Sequence, residues 1–412
     1  MDKRILIVGT YDTKSDELSY IADVIRAQGG VALSMDVSVL GQAPHPTDWS
    51  KHDVALAGGG TIAQAIASGD ENFAMQLMAR GAALLGSRLH AEGRFDGVLV
   101  LGGSMGTDLA LDLCAALPVG VPKYIVSTVS FSPMIPPERL AADVQMILWA
   151  GGLYGLNPIC KASLSQAAGA VLGAARAVEP PQSRRPMIGM TSFGKTVLRY
   201  MVTLKPELER RGYDLAVFHA TGMGGRAFET LAEQGAFVAV MDFAPQEVSN
   251  HLFGSAISAG PNRMISAGRA GVPQMVAPGC YDLVDVVGWH PAPEAFRDAP
   301  SHAHNRLLSS FVLNADQRRQ VAREIAAKLA QAAAPVTIFL PEHGCNEWDR
   351  AAGPLSDPEA LAAFCDEMRA VTPPNARLIS LDAHINDDAF AAAVLAQFDQ
   401  WVASGVVPPG HR

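Results

Sequence analysis

Two groups of residues in this sequence have the types and spacing to do chemistry. In the N-terminal half these are Thr10, Asp12, Thr13 and Lys14, then Gly58, Gly59 and Gly60, then Gly102, Gly103, Ser104, Gly106 and Thr107, and last Ser127 with Thr128. Each set follows an apolar, strand-like run or opens a helix-like one. A strand that ends in small residues and starts a helix converges several backbone N–H groups where the helix dipole is positive, and phosphate is stabilised there. Glycine lets such a ligand reach the backbone, because any Cβ would hold it off. Lys14 adds a cation, and Asp12 suits a ribose hydroxyl or a hydrated magnesium ion. Neither GxxxxGK[ST] nor GxGxxG occurs, so the standard P-loop and dinucleotide fingerprints are not supported. The competing reading is that these residues only make tight turns.

The C-terminal half carries the reactive side chains. Asp242 ends a strand-like run, and Glu247 follows on a helix, as a general base or as a carboxylate on the helix face. Arg263 and Arg269 suit a carboxylate or phosphate, or surface ion pairs. Cys280, in Pro-Gly-Cys-Tyr-Asp ending at Asp282, is a nucleophile if a helix start or a histidine lowers its pKa, and inert if buried. His302, His304 and Asn305 form one cluster; His343, Cys345 and Glu347 form another. His304 and His343 suit general acid–base work because imidazole titrates near neutrality. Together with Cys280 these residues offer a zinc alternative, although no spacing is diagnostic of a metal site.

The elements that must position these residues follow from pattern and length. The chain has 412 residues, 49% of them hydrophobic and 18% charged, which suits two globular domains. A net charge of −9 without a basic run argues against nucleic acid as a partner. No apolar run is long enough to span a bilayer. The start lacks the pattern of a signal peptide, and five scattered cysteines fit a reduced, cytoplasmic setting. Strand, polar turn, helix, glycine and strand succeed one another from Ile5 to Val37 and again from Met187 to His219. In the second copy the turn runs from Ser192 to Thr196. Gly-Val-Pro recurs at 120–122 and 271–273, and Pro180, Pro181, Gln182 and Ser183 read as a linker. Strands alternating with helices predict an α/β fold. The expectation is two Rossmann-like, doubly wound parallel-sheet domains, 1–180 for nucleotide or phosphate and 181–412 for substrate, facing a cleft.

Several stretches together resemble one family. They are Gly-Gly-Ser-Met-Gly-Thr at 102–107, Leu-Pro-Val-Gly-Val-Pro-Lys at 117–123 with Val-Ser-Thr-Val at 126–129, and Ser-Ala-Gly-Pro-Asn-Arg at 258–263 with Ala-Gly-Arg-Ala-Gly-Val-Pro-Gln at 267–274. Pro-Gly-Cys-Tyr-Asp, His-Asn-Arg at 304–306 and Leu-Asp-Ala-His-Ile-Asn-Asp at 381–387 complete the set. The family is the largely uncharacterised one that includes the ATP-binding N-terminal domain of the tomato mosaic virus resistance protein, and the resemblance covers nearly the whole chain. It implies two Rossmann-like subdomains, with ATP at Thr10 to Lys14, Gly102 to Thr107, Ser127 and Thr128. Three places depart from the family pattern, all in the second half. Cys280-Tyr281 stands for Ala-Leu, Asp-Phe-Ala-Pro-Gln-Glu at 242–247 replaces Asp-Thr-Thr-x-Glu, and Gly-Cys-Asn-Glu-Trp-Asp at 344–349 replaces Gly-x-Ser-x-x-Asp.

The expected function is a two-domain protein binding ATP, with or without magnesium, or a related phosphoryl ligand. It is expected to be an enzyme of organic-acid or sugar-acid catabolism and a homo-oligomer. Glu247, Cys280, His304 and Glu347 would be catalytic; Asp242, Arg263, Arg269, Asp282, Asn305 and His343 would hold a carboxylate-bearing substrate. The alternatives are a hydrolase or carbon–carbon lyase on an oxo acid without nucleotide, a kinase or ligase, a non-catalytic nucleotide-dependent binding module, and a zinc enzyme.

Overall fold

A computed structural model describes residues 2–149, 155–179, 185–194, 199–289, 291–351 and 353–411. The linker at 180–183 and the end of the second polar turn, Lys195 and Thr196, lie outside the described residues. The chain divides into two compact units, Met1–Pro181 and Gln182–Arg412.

The N-terminal unit runs β1 (Arg4–Gly9), α1 (Ser15–Ala27), β2 (Val31–Asp36), α2 (Lys51–Ala57), α3 (Ile62–Ser68), α4 (Glu71–Ala91), β3 (Gly97–Gly102), α5 (Ser104–Ala116), β4 (Lys123–Ser127), β5 (Val144–Leu148) and α6 (Pro158–Ala177). Its five strands are parallel in the order β2-β1-β3-β4-β5. The central strands β1 and β3 carry consecutive apolar residues, Ile5 to Val8 and Val98 to Leu101, because both faces are covered. Leu6, Val8, Val98 and Val100 pack under α4 and α5, while Ile5, Ile7, Leu99 and Leu101 pack under α1 and α6. The winding direction reverses between β1 and β3, and in open α/β sheets ligands sit outside the carboxyl ends of the strands at that point.

The C-terminal unit runs β6 (Met187–Ser192), α7 (Arg199–Arg210), β7 (Asp214–His219), α8 (Met223–Glu233), β8 (Ala239–Asp242), α9 (Gln246–Leu252), α10 (Ser266–Arg269), β9 (Gln274–Val276), β10 (Leu283–Val287), β11 (Ser301–Ala303), β12 (Leu308–Val312), α11 (Ala315–Leu329), β13 (Val336–Pro341), α12 (Pro358–Val371), β14 (Ala376–Leu381) and α13 (Asp388–Ala403). The main sheet has the order β14-β13-β9-β8-β6-β7, the same winding as the first unit with one strand more. The fold is thus α/β with a doubly wound parallel sheet in each unit. The closing helix stays in the second unit: Phe390, Val394, Phe398 and Trp401 of α13 join the core with Tyr200, Leu204 and Leu208 of α7.

A small antiparallel sheet, β10-β12-β11, interrupts the alternation. The His304 N–H donates to the Leu308 carbonyl, which closes the β11–β12 hairpin and puts His304 and Asn305 at its turn. Asp285 anchors this excursion from inside. It accepts from the Ser310 hydroxyl (2.5 Å), and its own N–H donates to Asn250 Oδ1 (2.7 Å).

Candidate functional site

At the β1/β3 reversal, Thr10, Thr13, Lys14, Gly102, Gly103, Ser104 and Gly106 line one crevice of about 350 Å³. Helix α5 opens on Gly103 with no side-chain cap and no acidic residue in its first turn, so its first N–H groups have neither an intrahelical nor a side-chain acceptor. Gly102 is needed for the close approach of strand and helix, since a Cβ there would lie 2.6 Å from Gly106 Cα. Thr107 and Ser127 are buried and hydrogen-bond each other at 2.6 Å, tying the start of α5 to the end of β4. Thr128 lies beside the turn, with its hydroxyl 3.7 Å from where a Cβ on Gly103 would sit. Lys14 makes no ion pair among the described residues.

A second cavity, about 440 Å³, shares Thr10, Thr13, Met105 and Gly106 with the first and continues past Val39, Ile66, Met75 and Met78, with Asp70 and Glu71 at its wall. Asp12 lines it. Its Oδ2 accepts from the Gly41 N–H (3.0 Å), whereas Oδ1 is buried without a hydrogen-bond partner. Two buried residues that motif reading passes over shape this wall. Asp36 accepts from the Tyr11 N–H (3.2 Å) and the Ser38 N–H (3.0 Å), and Lys51 donates to the carbonyls of Val39 and Gly41. Their signal was available, because Asp36 ends β2 on the same edge as Thr10. Gly58, Gly59 and Gly60 are elsewhere, in the turn between α2 and α3. A Cβ on Gly58 would strike the Leu77 carbonyl of α4, so close helix packing accounts for that glycine.

In the C-terminal unit the structure separates the expected substrate residues. Asp242, Glu247 and Arg263 do meet, but inside the protein, each at most 1% exposed. The Arg263 guanidinium donates to Glu247 Oε2 (2.7 Å), to both oxygens of Asp242, and to Glu229 Oε1 (3.2 Å). Glu247 Oε1 also accepts the N–H groups of Gly222 (2.5 Å) and Gly225 (3.0 Å) and so caps α8. Burial pushes the Glu247 carboxyl up to about 7 against the opposing charge of Arg263. With its donors consumed by three carboxylates, Arg263 has none for a substrate, and Glu247 positions backbone instead of acting as a base. Arg269 is exposed at the end of α10 and donates to Gln331 (2.9 Å), away from either group.

Cys280 is fully buried. Burial, with Asp282, Asp349 and Asp285 nearby, holds its thiol well above the ordinary value, the opposite of nucleophilic activation. All five cysteines are buried. Native protein is therefore expected to show no fast-reacting thiol with a chromogenic disulfide reagent, and five in denaturant; a rapid native phase lost in Cys280→Ala would restore the nucleophile. Asp282 is also buried, accepting from Asn346 Nδ2 (3.0 Å) with Arg318 at 3.6 Å, and burial raises its carboxyl to about 6. His343 faces solvent against Asp382 (2.8 Å), on a different cavity from His304. Among the described residues no group of three or more His, Cys, Asp or Glu is placed to hold a metal ion.

His304, Asn305 and Glu347 do come together. They line a cavity of about 410 Å³ with Phe193, His219, Thr221, Leu308 and Trp348, at the carboxyl ends of β6 and β7. The His304 ring packs against Trp348 (centroids 4.8 Å) and Phe193 (5.9 Å), and its buried Nε2 has no hydrogen-bond partner among the described residues. Burial, then His302 and His219, lowers its pKa and keeps the ring neutral at physiological pH. Burial also pushes the Glu347 carboxyl up, but hydrogen bonds from Arg350 (2.9 Å) and Asn386 (2.9 Å) outweigh it and leave the group below its ordinary value, ionised. Motif reading passes over His219 and Thr221, although a histidine that ends a parallel strand lies where such sheets bind ligands.

Similarity to known proteins runs through both units. The N-terminal domain model of the uncharacterised protein family UPF0261 matches residues 3–180, and its C-terminal domain model matches residues 185–402. A UPF0261 protein from Brucella melitensis is 57% identical over 99% of this chain and 98% of its own length. Another, from Clostridium tetani, is 34% identical over 96% and 98%. The ToMV resistance protein Tm-1(GCR237) of Solanum lycopersicum is 28% identical over 96% of this chain, a match that spans 55% of the tomato protein. Likeness to a solved UDP-N-acetylglucosamine 2-epimerase covers both chains fully, but 9% identity and a TM-score of 0.22 carry no argument. The chain belongs to the UPF0261 family.

Proposed function

We propose that the N-terminal unit binds ATP or a closely related phosphoryl ligand, and that the protein is an enzyme acting on a small molecule held by the C-terminal unit. The observation that carries this reading is the uncapped start of α5 at Gly103, at the point where the sheet reverses its winding, with the unpaired cation Lys14 lining the same crevice. Phosphates suit that position, because exposed N–H groups, the helix dipole and a lysine all favour negative charge. The adjoining apolar cavity suits a base, and the orphaned Asp12 Oδ1 suits a ribose hydroxyl or a magnesium-bound water. The resemblance of the tomato relative's N-terminal domain, read above as ATP-binding, points the same way.

Gly103→Asp tests this reading through two effects of opposite sign. Gly103 has φ −76° and ψ −154°, which any residue adopts, and a Cβ there meets nothing nearer than 3.7 Å. An aspartate at this position caps α5 and should leave stability unchanged or higher by a few tenths of a kcal/mol. It also puts a carboxylate where the phosphates would sit. ATP at a hundredfold excess over its Kd should stabilise the wild-type protein by about 2.7 kcal/mol, seen as a rise in Tm, and the variant by almost nothing. An equal ATP shift in both proteins would place the nucleotide elsewhere, and no shift in either would remove it.

A further inference from the structure

The C-terminal pocket differs in chemistry from the carboxylate clamp that its arginines suggested in sequence. Arg263 is consumed in the interior and Arg269 is on the surface. Among the described residues the pocket lining contains no lysine or arginine, and the one charged side chain among them is Glu347. Arg350 and Asn386 each take one lone pair of the Glu347 carboxylate, one on each oxygen, so both oxygens can still accept from a ligand. Asn305 uses its Oδ1 to accept from the Leu307 N–H (2.7 Å), which leaves its amide N–H groups to donate. The Thr221 hydroxyl and the His304 imidazole can each donate or accept, whereas His219 Nδ1 gives its N–H to the Ser192 carbonyl (3.4 Å) and leaves Nε2 to accept. Phe193, Leu308 and Trp348 complete the lining with apolar surface.

We infer that this pocket binds a neutral, polyhydroxylated ligand, a sugar or the sugar-like part of a larger substrate, and not a free carboxylate. Hydroxyl groups both donate and accept, which matches a wall of two-way side chains. The C–H faces of a sugar suit the apolar residues. A carboxylate would meet ionised Glu347, and no lysine or arginine among the described lining residues offsets that charge. The unpartnered Nε2 of His304 is the atom most in need of a ligand hydroxyl, since a buried polar group left unpaired is costly. The inference rests on the reading that the C-terminal unit is the substrate-binding half.

The test uses the full chain at pH 7.5 and ligand-observed NMR with matched pairs: D-xylose and D-xylonate, D-glucose and D-gluconate, D-galactose and D-galactarate. At least one neutral sugar is expected to bind more tightly than its acid. That affinity should fall at least tenfold in His304→Ala and in Thr221→Val, with both variants checked for unchanged melting, and should be untouched in Gly173→Ala, at an exposed position of α6 in the N-terminal unit. His304→Asn, which keeps a polar group at the turn, serves if the alanine variant does not fold. Tighter binding of the acids, neutral-sugar binding that survives His304→Ala and Thr221→Val, or no binding by any member would each overturn the inference. ATP titrated into the same samples separates the two readings. An ATP shift without sugar binding defeats only the pocket assignment, and sugar binding without an ATP shift defeats only the nucleotide.

Discussion

Arg263→Met is expected to cost about 3–5 kcal/mol of unfolding free energy, the range found when one partner of a buried ion pair is removed. Methionine approximates the volume but leaves Asp242, Glu229 and Glu247 facing one another without a cation. The wild-type cluster already holds more carboxylates than cations, and burial raises the carboxyls of both Glu247 and Glu229. A carboxyl raised from 4.5 to about 7 keeps, in the folded state, a proton that the unfolded chain has released. Its contribution to stability is therefore complete below about pH 4.5 and is lost as the pH rises through 7. Without Arg263 the carboxyls rise further, so the deficit of the variant should be larger at pH 8 than at pH 5. Urea unfolding at both values reads it. A deficit under about 1 kcal/mol, or one independent of pH, would mean that the network relaxes or takes up water.

Gly224→Ala is expected to destabilise the protein by about 2–3 kcal/mol, through overpacking that side-chain rotation cannot relieve. The new Cβ would fall on the His219 carbonyl oxygen at the end of β7, backbone against backbone. The gain in helix propensity is at most about 1 kcal/mol and does not offset the clash. Relief requires moving the start of α8 away from the strand, and His219 and Thr221 line the C-terminal pocket from that connection. Ligand binding there should weaken together with stability. Gly173→Ala in α6 is the control with opposite sign. Nothing lies within 4 Å of its Cβ position and the site is exposed, so propensity alone should raise stability, by up to about 1 kcal/mol. Denaturant midpoints of the two variants moving in the same direction would show that the contact at Gly224 is not the cause.

The two cavities were legible in the sequence to different degrees. The N-terminal crevice lies on a strand-to-helix turn of small residues, Gly102, Gly103, Ser104 and Gly106, so its glycines and the strand-to-helix order mark it directly. Gly58 to Gly60 show how that signal misleads, since a glycine required by helix packing looks the same as one required by a ligand. In the C-terminal unit reactive residue types were the guide, and they fail because type does not report burial. Arg263, Asp242 and Glu247 have the composition of a clamp and the environment of a core, and Cys280 is raised and shielded, not activated. His304, Asn305 and Glu347, also picked by type, do share a pocket, yet 43 positions separate the first from the last. Only the β11–β12 hairpin folding toward the loop after β13 brings them together.

The sequence by itself determined the α/β class, the division near residue 180, the doubled strand order and the family. Each is written in local hydropathy, turn residues or contiguous motifs, which need no knowledge of distant contacts. The tertiary structure alone decided which polar residues line a cavity and which are buried in the core. That choice depends on desolvation and on which donors are already used, and both are set by side chains far away in the chain. Glu229 and Arg263 are 34 residues apart, and Asp282 and Asn346 are 64 apart. Their pairing consumes charge that the sequence displays as available, and what it leaves at the C-terminal pocket is hydroxyl, amide and imidazole beside the single carboxylate of Glu347.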